Sequence, residues 1–270
     1  MITGIDHIAL AVSDFEASAE SYEALLGHRA ERMPPMGGAR RAWLRLDNLS
    51  LEIIAPSGDG PAGDRVRARL AEHGEGLLAI ALRTPDLDEA VRLGERRGLQ
   101  VVPAEGAALK AAFLTSDSGH GIPLALCQAE PAPRSEPTCE PNAAFHALDH
   151  VVIQTPNPDR AAALYGARLG LDLRLDRTNP DWKSRLLFFR CGDSVVEIGH
   201  GLAGGVSDGP DHFGGLAWRT RDPHAAQARL AAAGFSVSEV RKGRKPGTHV
   251  FTVRDRTAGV PTLVLSAASD

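Results

Sequence analysis

Two histidines and two glutamates stand at matching distances along the chain. His7 is followed by Glu52 after 45 residues, and His150 by Glu197 after 47. His7 lies in the run Asp6-His7-Ile8-Ala9-Leu10-Ala11-Val12, and Glu52 in Leu49-Ser50-Leu51-Glu52-Ile53-Ile54. Apolar residues alternating with others in this way are the pattern of a half-buried strand. Two imidazoles and two carboxylates suit Zn²⁺, Ni²⁺, Co²⁺, Mn²⁺ or Fe²⁺, and on an octahedral ion they leave positions open for two oxygens of a substrate. An ion so placed stabilises an enolate or alkoxide as charge develops. A single strand histidine is more often a core residue, and a lone glutamate more often faces solvent. The repeated pair is what sets the metal-binding reading beside that plainer one.

The elements that must hold these residues recur with them. Seven residues after His7, Ala79, His150 and Gly215 come the helix N-caps Asp14, Asp86, Asn157 and Asp222. Nineteen or twenty residues after the same four positions come the helix stops Gly27, Gly98, Gly170 and Gly234. Pro158 and Pro223 fall at the first helical position, where a missing N–H costs nothing. Between caps and stops run apolar stripes at helical spacing, such as Phe15, Tyr22, Leu25 and Leu26, or Ala161, Leu164, Tyr165 and Leu169. Strand-like runs follow each helix, among them 42–46 and 49–55, 111–115 and 122–127, 185–190 and 194–199, 249–253 and 261–265. The pattern predicts an α+β fold of four βαβββ modules in tandem. The connection 57–75 holds Arg65-Val66-Arg67-Ala68-Arg69-Leu70 and predicts a short exposed helix; the glycine-rich connection 201–213 predicts a loop.

Residues 129–145, with Pro131, Pro133, Pro137 and Pro141, read as a flexible linker between halves at 1–128 and 146–270. The halves are alike. Asp-His opens the first and third modules, while the second and fourth share Ala-Xaa-Arg-Thr-Xaa-Asp at Ala81 to Asp86 and Ala217 to Asp222. A formal net charge of −4 without a long Lys/Arg run argues against a nucleic-acid partner. Cys127, Cys139 and Cys191 are odd in number and widely spaced, which argues against a disulfide framework or structural zinc. The start lacks the pattern of a signal peptide, and no apolar run approaches the roughly 20 residues that span a bilayer. The expectation is a soluble cytoplasmic protein, monomer or homodimer, with a small-molecule substrate and no membrane partner.

Tandem βαβββ modules with histidine on the first strand and glutamate on the last resemble the vicinal oxygen chelate superfamily. That group includes glyoxalase I, methylmalonyl-CoA epimerase, extradiol dioxygenases, fosfomycin-resistance enzymes and bleomycin-binding proteins. The epimerase branch is echoed locally in Leu51-Glu52-Ile53-Ile54-Ala55-Pro56 and His73-Gly74-Glu75-Gly76-Leu77. The resemblance implies that pairs of modules close two glyoxalase-like, cup-shaped barrels around a divalent metal, with ligands from first and last strands. It also implies proton-carrying roles for the ligands Glu52 and Glu197. The chain departs from the pattern at Ala79 and Ala125 in the second module and at Gly215 and Leu263 in the fourth. If consecutive modules pair, each barrel owns two ligands; if the first pairs with the third, His7, Glu52, His150 and Glu197 converge on one ion. The shared site is the sharper expectation, because both surviving pairs stand in odd-numbered modules.

Arg83 and Arg219 lie four residues beyond the lost histidine positions, on the same strand face and roughly 13 Å away. They are candidates to hold a carboxylate or phosphate of the substrate, with rim salt bridges the alternative. Arg241, Lys242, Arg244 and Lys245 read as a solvated loop or a lid over an anion, and Trp43, Trp182 and Trp218 as core or pocket lining. The resulting functional expectation is a divalent-metal-dependent enzyme doing isomerase, epimerase, lyase or dioxygenase chemistry on a small oxygenated substrate. The alternatives are a metal-free small-molecule binding protein of bleomycin-resistance type and a structural or regulatory module that keeps the fold alone.

Overall fold

A computed structural model of the chain describes residues 2–104, 110–130, 133–244 and 246–266; Pro131 and Lys245 lie outside them. The first half runs β1 (Gly4–Ala11), α1 (Phe15–Leu26), β2 (Glu31–Met36), β3 (Ala39–Arg45), β4 (Ser50–Pro56) and α2 (Pro61–His73). It continues with β5 (Gly76–Arg83), α3 (Leu87–Arg96), β6 (Val101–Pro103), β7 (Lys110–Leu114), α4 (Ser116–Gly119) and β8 (Leu124–Gln128). The second half runs β9 (Phe145–Gln154), α5 (Pro158–Ala162) with a π turn at Ala163–Arg168, β10 (Asp172–Asn179), β11 (Ser184–Cys191) and β12 (Ser194–Gly201). A 3₁₀ turn at Leu202–Gly204, β13 (His212–Thr220), α6 (Pro223–Ala232), β14 (Arg241–Lys242), β15 (His249–Val253) and β16 (Thr262–Ser266) complete it.

The repeated caps work as their chemistry predicts. Asp14 accepts from the Ala17 N–H at 3.1 Å, Asp86 from Glu89 at 2.9 Å, Asn157 from Arg160 at 3.1 Å and Asp222 from Ala225 at 3.0 Å. Gly27, Gly98, Gly170 and Gly234 all take positive φ, which closes each helix at little steric cost. The short exposed helix expected at 65–70 is the longer α2. Four strands have no counterpart among the apolar runs: β2, β6, β10 and β14. All four are sheet edges, where uncovered faces require no apolar run.

One sheet has the order β2-β3-β4-β1-β5-β8-β7-β6 and the other β10-β11-β12-β9-β13-β16-β15-β14. Consecutive modules therefore pair. The first and third modules, whose pairing the shared-site expectation required, lie in different sheets, with His7 and Glu52 in one and His150 and Glu197 in the other. Packing groups Met1–His7, Ala79–Pro131 and His150–Gly214 into one compact unit, and Ile8–Leu78, Ala132–Asp149 and Gly215–Asp270 into another.

The proline-rich segment is not a free tether. The Arg29 N–H donates to Glu136 O at 2.9 Å, the Thr138 N–H to Gly27 O at 2.9 Å and the Ser135 N–H to Arg45 O at 2.9 Å. His28 lies between Ser135 O at 3.2 Å and Phe145 O at 2.9 Å. Proline removes donors, but the residues between the prolines keep theirs, and the Ser135 and Thr138 N–H groups and the Ser135 and Glu136 carbonyls bind the α1–β2 turn and β3. Among the described residues, no helix is long and apolar enough to cross a membrane.

Candidate functional site

Strand alternation sorts the second half's residues by face. On β11 and β12, Leu187, Phe189, Val196 and Ile198 are buried, and α5 packs on these strands. Their neighbours Leu186, Phe188, Val195 and Glu197 are half-exposed, as are His150, Val152 and Gln154 on β9. β12 pairs in parallel with β9, setting Val195 opposite His150 and Glu197 opposite Val152. Residues paired across neighbouring strands share a face. His150 Nε2 thus comes to 3.4 Å from Glu197 Oε2, with both side chains 18% exposed.

The first half binds the equivalent residues differently. Glu52 lies opposite Trp43, as Glu197 lies opposite Phe188. Two residues before Trp43 is Arg41, whose Nε donates to Glu52 Oε1 at 2.9 Å and whose Nη1 donates to Met36 O at 2.9 Å. Two residues before Phe188 is Leu186, which has no charge to offer. α2 then covers this face: its Ala62 and Val66 pack against Ala39, Ile54 and Ala11. Ala39 and Ile54 share the face of Arg41 and Glu52, because the β3–β4 register pairs Arg41 with Ile54. Glu52 is left 8% exposed.

His7 donates from Nδ1 to Asp6 Oδ2 at 2.8 Å, and Asp6 Oδ1 accepts from Arg83 Nε at 3.1 Å. Burial alone would raise the Asp6 pKa, but the hydrogen bonds and charges of His7 and Arg83 outweigh it and hold the carboxyl below its usual value. Beside them Ala81, Ala125 and Cys127 form a small apolar cluster. Burial and the charge of Asp6 push the Cys127 thiol up to about 12, so it is not a nucleophile near neutrality. Arg219 Nε donates to Asp149 Oδ2 at 2.9 Å. Both arginines singled out in the sequence therefore hold the aspartate that precedes a histidine. Trp218 is buried in the core, whereas Trp182 is 43% exposed. Arg41 and Asp6 escaped the sequence reading; only the Asp-His dipeptide shared by the first and third modules pointed to either.

The donor set decides how a metal would fare. Among the described residues, no group of three or more His, Cys, Asp or Glu converges. Each sheet keeps two donors, and Glu52 is bound to a guanidinium whose charge repels a cation. A catalytic ion held by protein usually has three ligands. The residues do not fit a resident ion held by protein alone.

Residues 6–113 and 149–252 match the family model described as Glyoxalase/Bleomycin resistance protein/Dioxygenase superfamily. The chain belongs to that superfamily. No curated protein matches it. Among solved structures it is similar to a mutant 4-hydroxymandelate synthase from Streptomyces coelicolor, at 16% identity and TM-score 0.74 over 98% of this chain and 93% of that one. It is also similar to the Mn(II)-bound glyoxalase from Novosphingobium aromaticivorans, at 15% identity and TM-score 0.69 over 99% and 83%. Methylmalonyl-CoA epimerase of Streptomyces coelicolor aligns at 27% identity and TM-score 0.41 over 48% of this chain and 99% of that one. The first two likenesses show the tandem fold.

Proposed function

We propose that the protein is an enzyme that moves a proton on a small oxygenated substrate, with His150 and Glu197 as the reacting pair. The observation that carries this reading is their 3.4 Å approach on a half-exposed face that bears no competing arginine at the Leu186 position. An imidazole at this place can take a proton from a carbon acid and return it, and the neighbouring carboxylate holds the ring for that exchange. In this reading Arg83 and Arg219 orient Asp6 and Asp149 rather than the substrate. His7 and Glu52 keep the fold of the first half.

The convergence of Nε2 and Oε2 also favours a second reading, in which water and the substrate's own oxygens complete the ligand shell of an ion held by two protein donors. Mn²⁺ is the ion to try first, since it is named for one structural neighbour. The test uses chelator-treated protein in D₂O, with and without Mn²⁺, and a panel of 2-oxo acids, 2-hydroxy acids and acyl thioesters. Proton NMR then follows loss of the α-proton signal. Exchange without metal, abolished in His150→Gln and retained in His7→Gln, is the expected result. Exchange that requires Mn²⁺ supports the second reading. Binding of panel members without any exchange leaves the metal-free binding protein in place of the enzyme.

A further inference from the structure

The face that carries His150 and Glu197 continues across β11 onto the edge strand β10. The register pairs Glu197 with Phe188 and Phe188 with Leu175; one step along, it pairs Gly199 with Leu186 and Leu186 with Arg177. Phe188, Leu186 and Arg177 therefore share the face of the reacting pair. The first two are half-exposed, so flat apolar surface lies open beside Glu197. Among the described residues no carboxylate pairs with Arg177. Its guanidinium instead lies over the Trp182 ring, 5.7 Å from the centroid. The turn that places Trp182 there is built by Asn179, whose Oδ1 accepts from the N–H groups of Asp181 at 2.9 Å and Trp182 at 3.2 Å. Such a turn holds an exposed indole where it would otherwise be free. Arg190 shares the face but turns its Nε to Gly192 O at 3.4 Å.

We infer that Arg177, stacked on Trp182, is an anchoring subsite for a substrate carboxylate, and that the substrate joins this carboxylate to a flat apolar body resting on Phe188 and Leu186. Two interstrand spacings and two residues of rise set the Cα atoms of Arg177 and Glu197 roughly 12 Å apart, with Phe188 and Leu186 on the strand between them. A single planar guanidinium backed by an aromatic ring suits bidentate carboxylate better than phosphate, which usually recruits further donors. The functional meaning of the subsite rests on the reading of His150 and Glu197 as the reacting pair.

Isothermal titration of the full chain with benzoate, phenylacetate and 3-phenylpropionate tests it, with acetate and benzyl alcohol as controls. At least one arylcarboxylate is expected to bind ten times more tightly than either control. Arg177→Met should lose that advantage, Arg177→Lys should recover part of it, and Arg190→Met should bind as the wild type does; circular dichroism of each variant confirms an unchanged fold. Equal binding by Arg177→Met and wild type, or no preference of the wild type for any arylcarboxylate over the controls, overturns the subsite. His150→Gln separates the two claims, because it should keep arylcarboxylate binding while losing deuterium exchange. Exchange that survives in a protein without the arylcarboxylate preference removes the subsite alone, and preference without exchange removes the reaction alone.

Discussion

Glu52 and Glu197 occupy the same place in their sheets, opposite Trp43 and Phe188, yet their surroundings diverge one step along the strand. In the first half that step brings Arg41, and the following connection folds as α2 over the same face. In the second half the step brings Leu186. The connection after β12 is only residues 202–211, holds Gly204, Gly205, Gly209 and Pro210, and forms no more than the 3₁₀ turn Leu202–Gly204. The difference teaches how a duplicated unit can give one residue type two surroundings. One residue on β3 and one helix pair and cover Glu52, whose side chain is 10% exposed, whereas that of Glu197 is 18% exposed.

The contrast can be broken from either side. Arg41→Leu removes the partner of a nearly buried carboxylate and should cost about 3–5 kcal/mol of stability, read as a lower urea midpoint, because an unpaired buried charge is left behind. Deuterium exchange should survive in whatever protein stays folded. Leu186→Arg performs the reverse experiment by placing a guanidinium where Arg41 stands in the other half. It should lower exchange by about 100-fold, roughly 2.7 kcal/mol of barrier, with little change in melting temperature because Leu186 is half-exposed.

Sequence pattern carried the modules and their caps a long way. Asp and Asn at N-caps and glycines at positive φ are local chemistry, and local chemistry is written in the sequence. The edge strands were illegible for a physical reason: exposed on both sides, Glu31–Met36 needs no apolar periodicity and even carries Pro34 and Pro35. The proposed site was half legible, in that His150 and Glu197 stood out by type and spacing. The arginine that pairs with Glu52 could be recognised only once the β3–β4 register placed Arg41 beside it, since two residues of sequence offset give no hint of which face a neighbour's carboxylate uses. The choice between consecutive and alternate pairing of modules also waited on the strand order, because both satisfy the same hydrophobic pattern.

Two smaller effects sharpen the comparison. α2 approaches the β2–β3 turn so closely that a Cβ on Gly63 would run into the carbonyl oxygens of Gly38 and Gly58. Gly63→Ala should therefore cost about 1–3 kcal/mol by lifting the covering helix, measurable by thermal melting. The smallest effect is that of pH on Asp6. Its folded carboxyl lies below the usual value, so its pairing with His7 and Arg83 contributes stability above the ordinary carboxylate pKa, near about 3.9, and loses it as pH falls through the lower folded value. The urea midpoints of wild type and Asp6→Asn should differ at pH 7 and converge as the solution is acidified below pH about 4.

The division between the halves rests most directly on the two glutamates. Deuterium exchange by Glu52→Gln and Glu197→Gln, each compared with wild type on the same substrate after chelator treatment, measures it in one experiment. Glu197→Gln should lose exchange by about 100-fold or more while keeping its melting temperature, and Glu52→Gln should keep the rate while melting lower. Loss of exchange in Glu52→Gln with full activity in Glu197→Gln would place the chemistry in the first half and contradict the account.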